Sequence, residues 1–259
     1  MINITTINVE LTDRCNKNCW CCGRRKTERE NPEIIKTYGD MDFEIVKEIA
    51  RQLPDNIFVH LHNNGEAFLY PRLFDAIVLL GHNRFTHITT NGKLILERFD
   101  EISLLDTLAI SVIENDPEAD EQYEIIKEYF TLKNRPHTVI RLNGNVDDKR
   151  YKVFNCPIAR RNLHNPMGSF DYTKRTTIPE TGVCWDILHH PAINKKGDIS
   201  ICVRYDPKGV GVLGNISEGL GNILYGEKRT EWIMNHIQGK RYKVPLCNFC
   251  EYYGIPKGV

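Results

Sequence analysis

The stretch TDRCNKNCWCCGRR, residues 12–25, contains four cysteines within eight residues and directly follows the strand-like run ITTINVEL. Three of them, Cys15, Cys19 and Cys22, have the spacing C-x3-C-x2-C. A [4Fe-4S] cluster with a purely structural role takes one thiolate on each of its four irons. Because this loop supplies three thiolates, it predicts a cluster with one iron open to a small ligand.

A zinc site is the alternative for the same loop. Zinc usually takes four ligands in paired C-x2-C knuckles, and the extra residue between Cys15 and Cys19 argues against that arrangement. Cys21 is the direct neighbour of Cys22 and is therefore poorly placed to bind the same cluster. We interpret Cys21 as a non-ligand.

The composition narrows the class of protein. The 259 residues are 41% hydrophobic, enough to bury a sizeable core, and 34 basic residues balance 34 acidic ones. With this balance, no net positive charge favours binding of nucleic acid or of an acidic membrane surface, so we expect a small or neutral partner. We find no leader peptide and no apolar run near the ~18 residues that span a bilayer, and we expect a cytoplasmic protein. In that reducing setting the nine cysteines indicate metal ligands before disulfides.

Strand-like and helix-like runs alternate through the first two thirds of the chain. Strands are predicted at residues 5–11, 57–61, 85–92, 107–112 and 138–144, with a short sixth at 162–165. Helices are predicted after the N-cap Asp42, from Pro71, at 94–104 and at 119–130. This order predicts parallel βαβ units in an α/β fold, which close toward a barrel or open into a doubly wound sheet. Both architectures collect their chemistry at the carboxyl ends of the strands.

The pattern changes near the C-terminal end of the sequence. The run PAINKKGDISICV predicts a β-hairpin with its turn at residues 194–197, and a helix is predicted near 229–237. Four further cysteines accompany these elements, and they are Cys184, Cys202, Cys247 and Cys250. Four thiolates fully occupy either a structural zinc site or a [4Fe-4S] cluster, and residue chemistry leaves both open.

The cysteine loop after a first strand resembles the signature of the radical SAM superfamily. This resemblance implies a partial (β/α)6 TIM-like barrel, followed here by a small iron–sulfur module of a β-hairpin and a helix. It implies a [4Fe-4S] cluster on Cys15, Cys19 and Cys22 that binds S-adenosylmethionine (SAM) and cleaves it reductively to a 5′-deoxyadenosyl radical. The electron would come from an external reductant such as flavodoxin or ferredoxin.

The resemblance also implies positions for SAM contacts. The segment HNNGEAF resembles the family's GGEP motif, with Gly65 and Glu66 matching and Asn64 and Ala67 departing, and it would receive the methionine ammonium. The aromatic residue that commonly contacts the adenine stands one place earlier here. The implied cofactor-binding residues are Trp20, Gly65, Glu66, Asn91, Ser111 and Arg141.

The C-terminal cysteines resemble the twitch module, a shortened SPASM domain that carries one auxiliary cluster. The hairpin, the GNI run at residues 214–216, a helix with Trp232 and the run PLCNFC follow the order of that module. The resemblance implies a second [4Fe-4S] cluster on Cys184, Cys202, Cys247 and Cys250. It also implies two domains, a radical SAM core at residues 1–165 and a twitch module at 166–259.

Together these features predict a radical SAM oxidoreductase. Removal of a hydrogen atom leaves a carbon radical, and an oxidation then requires loss of a proton and a second electron, which an auxiliary cluster can accept. The leading substrate class is a sugar-like, cyclitol or nucleoside alcohol, as in twitch-bearing enzymes that oxidise an aminocyclitol. Cross-linking of a ribosomally made peptide is one alternative. A non-catalytic iron–sulfur or zinc protein is another, and the second cluster then only stabilises its small domain.

The sequence does not identify the catalytic residue. Candidates are Glu114 after the fourth predicted strand, Arg141 in the fifth and His164 in the polar segment 160–175 between the modules. Arg160 and Arg161 in this segment are candidate substrate contacts or part of a solvated surface.

Three further residues have two interpretations each. His60 and His62 alternate with apolar neighbours, so both point to one face of a strand, either toward a barrel cavity or as satisfied core histidines. Cys156 belongs to neither cysteine set and is interpreted as a small hydrophobic residue, or as a transient ligand.

Overall fold

The structure is a computed structural model that describes residues 4–161, 163, 183–248 and 250. Its strands are β1 Thr6–Val9, β2 Phe58–His60, β3 Phe85–Thr90, β4 Thr107–Ile113, β5 His137–Asn143, β6 Ile158–Arg161, β7 Ala192–Ile193, β8 Asp198–Ser200 and β9 Val212–Asn215. Its α-helices are α1 Gly23–Glu30, α2 Phe43–Gln52, α3 Leu73–Gly81, α4 Phe99–Ile102, α5 Ala119–Tyr129, α6 Trp185–His189, α7 Leu220–Leu224, α8 Glu227–Ile237 and α9 Pro245–Asn248.

In the described residues the strands form one nine-stranded sheet in the order β6-β5-β4-β3-β2-β1-β7-β8-β9. The pairs from β6 to β7 are parallel, and the β7–β8 and β8–β9 pairs are antiparallel. Because β6 and β9 are its edges, the sheet is open rather than closed. This confirms the predicted α/β class with a partial barrel of parallel strands.

The two faces of the sheet differ in polarity because the strand sequences alternate. In β5, Thr138, Ile140 and Leu142 are buried in the core, whereas the side chains between them are partly buried. Strand β3 follows the same alternation, and β4 follows it except at Ala109, which is also buried. The partly buried face carries most of the polar strand residues and is called the polar face below; its members include His60, His87, Thr107, Ser111, Arg141 and Arg161.

Helix α2 shows how the local sequence sets an element. Asp42 is its N-cap, and the side chain accepts a hydrogen bond from the backbone N–H of Glu44 at 2.9 Å. Val46 and Ile49 lie on one side of the helix and are fully buried. Among the described residues the longest helices have 11 residues. No described helix is long and apolar enough to cross a membrane.

The hairpin of the small module forms as predicted and continues the main sheet. Gly197 N–H donates to the carbonyl of Asn194 at 2.9 Å, and Gly197 has φ +83°, a value that favours glycine. Strand β7 also pairs in parallel with β1. The predicted domain boundary between residues 165 and 166 lies outside the described residues.

Two predicted elements differ from the structure. The helix predicted at 94–104 is shorter in the structure, where only α4 is helical. Successive turns precede α4, and in one of them the N–H of Phe99 donates to the carbonyl of Leu96 at 3.4 Å. The sixth strand is β6, earlier than the predicted 162–165, because its pairing with β5 and not an apolar alternation defines it. Of residues 162–165, the structure describes residue 163 alone, outside any strand.

Candidate active site

The loop between β1 and α1 brings the three predicted cluster cysteines together. The backbone N–H of Cys22 donates to the carbonyl of Cys19 at 3.1 Å, and Cys22 is the N-cap of α1. Burial, followed by the neighbouring thiols of Cys22, Cys21 and Cys15, raises the pKa of Cys19 to about 12. A bound cation or cluster would hold these groups as thiolates at neutral pH. Three sulfurs in one compact loop fit the predicted [4Fe-4S] cluster.

A buried ion pair fixes this loop to the segment after β4. Lys17 lies between the cysteines, and its ammonium contacts the carboxylate of Asp116 at 2.5 Å and that of Glu118 at 3.7 Å. The side chains of Lys17 and Asp116 are only 3% and 5% exposed. Removal of one partner from such a pair leaves a buried charge without compensation. The pair therefore restrains the position of the cysteine loop.

We expect Lys17→Met to lower the free energy of unfolding by about 3–5 kcal/mol, because Asp116 keeps its charge without a partner. For a chain of this size the loss corresponds to roughly 10 °C in Tm, measured by anaerobic thermal unfolding of the holoenzyme. Lys93→Met is the matched control, since Lys93 pairs with Glu118 in a more exposed position and its loss should cost about 1 kcal/mol or less. Equal losses of unfolding free energy in both variants would contradict the special role of the buried Lys17–Asp116 ion pair.

The segment after β2 packs directly against the cysteine loop. Glu66 N–H donates to the carbonyl of Arg14 at 2.8 Å. A Cβ atom on Gly65 would lie 2.8 Å from the same carbonyl oxygen and closer still to that of Thr12. Glycine at position 65 is therefore required by close approach of two backbone segments.

The carboxylate of Glu66 is buried and bonded to the segment after β3. Oε1 accepts hydrogen bonds from the Thr90 hydroxyl at 2.9 Å and from Phe68 N–H at 3.3 Å, and Oε2 accepts one from Asn91 N–H at 2.8 Å. Burial raises the pKa of Glu66, and these donors oppose that rise. Glu66 thus holds Asn91 in place, and its contact with the methionine ammonium stays a prediction.

Asn91 in turn reaches the cysteine loop. Its Nδ2 lies 4.0 Å from Sγ of Cys15 and donates to Oδ1 of Asn16 at 2.8 Å. Gln122 of α5, which the sequence analysis did not identify, donates from Nε2 to the carbonyls of Asn91 at 2.6 Å and Ser111 at 2.9 Å. One buried amide therefore ties the ends of β3 and β4, where the predicted SAM contacts lie.

Trp20 lies across the end of β4. Its indole N–H donates to the backbone carbonyl of Glu114 at 2.9 Å, while 38% of the residue stays exposed. The Glu114 carboxylate accepts a hydrogen bond from the backbone N–H of Asn145. These contacts give Trp20 an anchored ring with an accessible surface and give Glu114 a structural role. A catalytic role of Glu114 stays a prediction.

The other predicted contacts are distributed over a wider area. Ser111 and Arg141 are in register on adjacent strands of the polar face. Arg160 forms an ion pair with Asp148, and His164 lies outside the described residues. Cys156 packs against the main hydrophobic core.

The four C-terminal cysteines converge on one small cavity. This cavity is lined by Cys184, Cys202, Cys247 and Cys250. Burial, followed by the neighbouring thiols, raises the pKa of Cys247 to about 12. Three of the four also belong to a second hydrophobic cluster with Trp232 and Val244. This donor set fits a four-thiolate centre, either a [4Fe-4S] cluster or zinc.

Two polar residues that the sequence analysis did not identify border this cavity. Arg241 donates from Nη1 to the carbonyls of Cys247 and Cys250, each at 2.9 Å. The backbone N–H of Cys184 donates to Nδ1 of His236 at 3.5 Å. Burial, with the charge of Arg241, lowers the pKa of His236 to about 4, so this imidazole is neutral. Both contacts restrain the backbone that carries the cysteines.

The sequence profile of the radical SAM superfamily matches residues 9–152, more than half of the chain. The chain therefore belongs to the radical SAM superfamily, which implies a [4Fe-4S] cluster and SAM as cofactors. Over an alignment of 93 positions that covers 34% of this chain, the sequence is 29% identical to the tungsten-containing aldehyde ferredoxin oxidoreductase cofactor-modifying protein of Pyrococcus furiosus. The match spans only 24% of that protein's length.

Solved structures with the same fold cover nearly the whole chain. BtrN in complex with AdoMet and 2-DOIA aligns over 97% of this chain and 98% of its own, with TM-score 0.65 and 19% identity. The anSMEcpe structure with bound AdoMet aligns over 96% and 88%, with TM-score 0.65 and 15% identity. Streptococcus suis SuiB bound to S-adenosylmethionine aligns over 96% and 72%, with TM-score 0.61 and 13% identity. BtrN is a 2-deoxy-scyllo-inosamine dehydrogenase, so the predicted resemblance to a twitch-bearing dehydrogenase is confirmed for the fold.

Proposed function

We propose that this chain is a radical SAM oxidoreductase that dehydrogenates an alcohol and holds a second, auxiliary [4Fe-4S] cluster. The observation that carries the proposal is the cavity where Cys184, Cys202, Cys247 and Cys250 converge. An oxidation that begins with loss of a hydrogen atom still has to lose a proton and an electron, and a four-thiolate cluster is suited to accept an electron. The likeness in fold to BtrN over nearly all of both chains supports the same type of reaction.

When bound to Cys15, Cys19 and Cys22, a reduced [4Fe-4S] cluster with SAM supplies the radical that removes a hydrogen atom from the substrate. The residues of this chain position that chemistry. Lys17 restrains the cysteine loop, Glu66 holds Asn91 beside it, and the exposed ring of Trp20 offers a surface for the adenine. The electron for each turnover comes from a one-electron reductant of the flavodoxin or ferredoxin type.

In the proposed reaction a CH–OH group becomes C=O. The carbon gives up one hydrogen atom to the cofactor-derived radical, and the remaining proton and electron leave separately, so that two protons and two electrons are removed in all. We assign the substrate to the polar face of the sheet. One side chain on this face, His60, has its ring centroid 6.2 Å from that of His190, which follows α6. Nδ1 of His190 lies 3.0 Å from Oδ1 of Asp186, and Asp186 lines the second cysteine cavity, so these side chains connect the polar face with that cavity.

Anaerobically reconstituted protein is expected to contain about eight irons per chain and, with dithionite and SAM, to release 5′-deoxyadenosine and methionine. An alcohol substrate deuterated at the carbinol carbon is expected to transfer deuterium to 5′-deoxyadenosine and to yield a carbonyl product, both detected by mass spectrometry.

Other outcomes of the same assay contradict the proposal. A cross-linked peptide product would favour peptide modification over alcohol oxidation. Absence of SAM consumption in protein with a full iron content would leave a non-catalytic iron–sulfur protein. An iron content near four per chain would remove the auxiliary cluster from the proposal.

A further inference from the structure

Three histidines lie together on the polar face. His60 and His87 are in register on β2 and β3, with ring centroids 4.7 Å apart. The ring of His62 lies 5.6 Å from each of them. Their nearest ring nitrogens all lie within 4.8 Å of one another, a separation that raises the question of a metal ion.

The hydrogen bonds of the rings argue against a metal ion. The backbone N–H of Thr89 donates to Nδ1 of His62 at 3.1 Å, so the proton of the neutral ring is on Nε2. Nδ1 of His87 lies 2.8 Å from the Thr107 hydroxyl, and its Nε2 lies 3.1 Å from the Thr89 hydroxyl. On His62 and His87 the lone pairs that a metal requires are therefore already engaged. Nε2–H of His62 instead presents a hydrogen-bond donor.

Two arginines add positive charge to this region. Arg141 of β5 is in register with Ala159 of β6, and Arg161 is two residues further along β6, so both side chains leave the sheet on the same face. Within the described residues neither guanidinium has a carboxylate partner. Burial, then repulsion by Arg161, lowers the pKa of Arg141 to about 10, which leaves it charged at neutral pH.

Burial and the same charges keep the histidines neutral. Burial comes first, and neighbouring groups that include both arginines add to it, lowering the pKa of His60 to about 3 and that of His87 to about 4. Among the residues that the structure describes, this region thus combines neutral imidazoles with two cations that have no carboxylate partner. The charge of the partly buried Arg141 is costly unless an opposite charge compensates it, whereas Arg161 is exposed.

We propose that this arginine–histidine cluster, formed by His60, His62, His87, Arg141 and Arg161, binds an oxyanion on the substrate, either a carboxylate or a phosphate. The inference rests on the proposed function, because it assigns a charge to the alcohol that the enzyme oxidises. A guanidinium binds two oxygens of such a group in a bidentate manner, and Nε2–H of His62 adds a neutral donor. The substrate is then an acidic or phosphorylated alcohol.

This inference changes the role predicted for Arg141 from the sequence, where it was a SAM contact. The charged groups that most strongly affect the cluster-loop cysteines include Lys17, Arg24, Glu66 and Glu114. Arg141 and Arg161 act instead on the histidines.

The test uses the SAM-loaded holoenzyme and two probes, inorganic phosphate and malonate, in anaerobic isothermal titration calorimetry. We expect Arg141→Gln and Arg161→Gln each to weaken binding of the preferred probe by about tenfold or more. Arg141→Lys, which keeps the charge but not the fork, should fall between the wild type and Arg141→Gln. Arg160→Gln is the matched control, because Arg160 is adjacent to Arg161 in sequence but pairs with Asp148. The affinity of this variant for the probe should change by about twofold or less. The tighter probe identifies the oxyanion as a carboxylate or a phosphate.

Two results would overturn the inference: binding of neither probe to the wild type, or loss of SAM binding in Arg141→Gln with probe binding unchanged. Circular dichroism of each variant shows whether it is folded. The release of 5′-deoxyadenosine is measured separately on the same samples, so a failure of the oxyanion site is distinguished from a failure of radical chemistry.

Discussion

Replacement of Cys19 by alanine is expected to reduce 5′-deoxyadenosine release to the level of the enzyme-free reaction and the iron content from about eight to about four per chain. Cys19 is the central member of the loop set and shares its electrostatic environment with Cys15 and Cys22. A cluster held by three thiolates has no spare ligand, so loss of one removes its binding site and not only its reactivity. Iron and sulfide analysis, together with chromatographic detection of 5′-deoxyadenosine, provides both measurements.

Cys21→Ala is the matched control for this loss. Cys21 lies in the same loop, and burial followed by Cys22 raises its pKa to about 12, as for Cys19. Because we interpret Cys21 as a non-ligand, its alanine variant should keep both iron and 5′-deoxyadenosine release. If Cys21→Ala loses the cluster while Cys19→Ala keeps it, the ligand assignment is wrong.

A second large effect is expected at the other cysteine set. Cys202→Ala should bring the iron content to about four per chain, keep release of 5′-deoxyadenosine and abolish formation of the carbonyl product. Cys202 is buried in the second hydrophobic cluster and lines the cavity with the other three cysteines. In the reaction that we propose, the substrate radical then has no electron acceptor and does not complete the oxidation, although the first hydrogen removal is unaffected.

The control for this variant is Cys156→Ala, since Cys156 packs on the main core outside both cysteine sets. It should keep iron content and product formation close to those of the wild type. A purely structural second cluster makes a different prediction, because Cys202→Ala would then lower Tm while the remaining folded enzyme still forms the carbonyl product. Product yield per folded chain separates the two.

Local sequence patterns predicted most of the elements that have clear periodicity. Strand β5 and helix α5 were expected because their apolar residues recur at intervals of two and of three to four residues. The helix predicted at 94–104 was too long, because the apolar spacing of that segment also fits turns that bury Ile95 and Ile102. Strand β6 lacks an apolar alternation, so its position depends on pairing with β5 and is not readable locally.

The candidate site was predictable where residues are close in sequence and less so where the fold brings them together. The spacing of Cys15, Cys19 and Cys22 alone predicts a three-thiolate cluster site. The ion pair of Lys17 with Asp116 joins distant segments, and no local pattern marks either residue as buried. One feature of the sequence could have identified Gln122. It is a polar residue on the same helix face as the buried Ile126 and Tyr129, where an apolar residue is expected.

The parallel pairing of β1 with β7 joins the segments that carry the two cysteine sets through one continuous sheet. The N–H groups of Asn8 and Glu10 donate to the carbonyls of Pro191 and Ile193, at 3.0 and 2.8 Å. A shortened chain ending before Cys184 would leave those donors without partners and would make β1 an exposed edge strand. Such edge strands pair with other chains. Dissecting the protein into halves would therefore yield a self-associating fragment, and swapping its C-terminal part between enzymes requires a matching first strand.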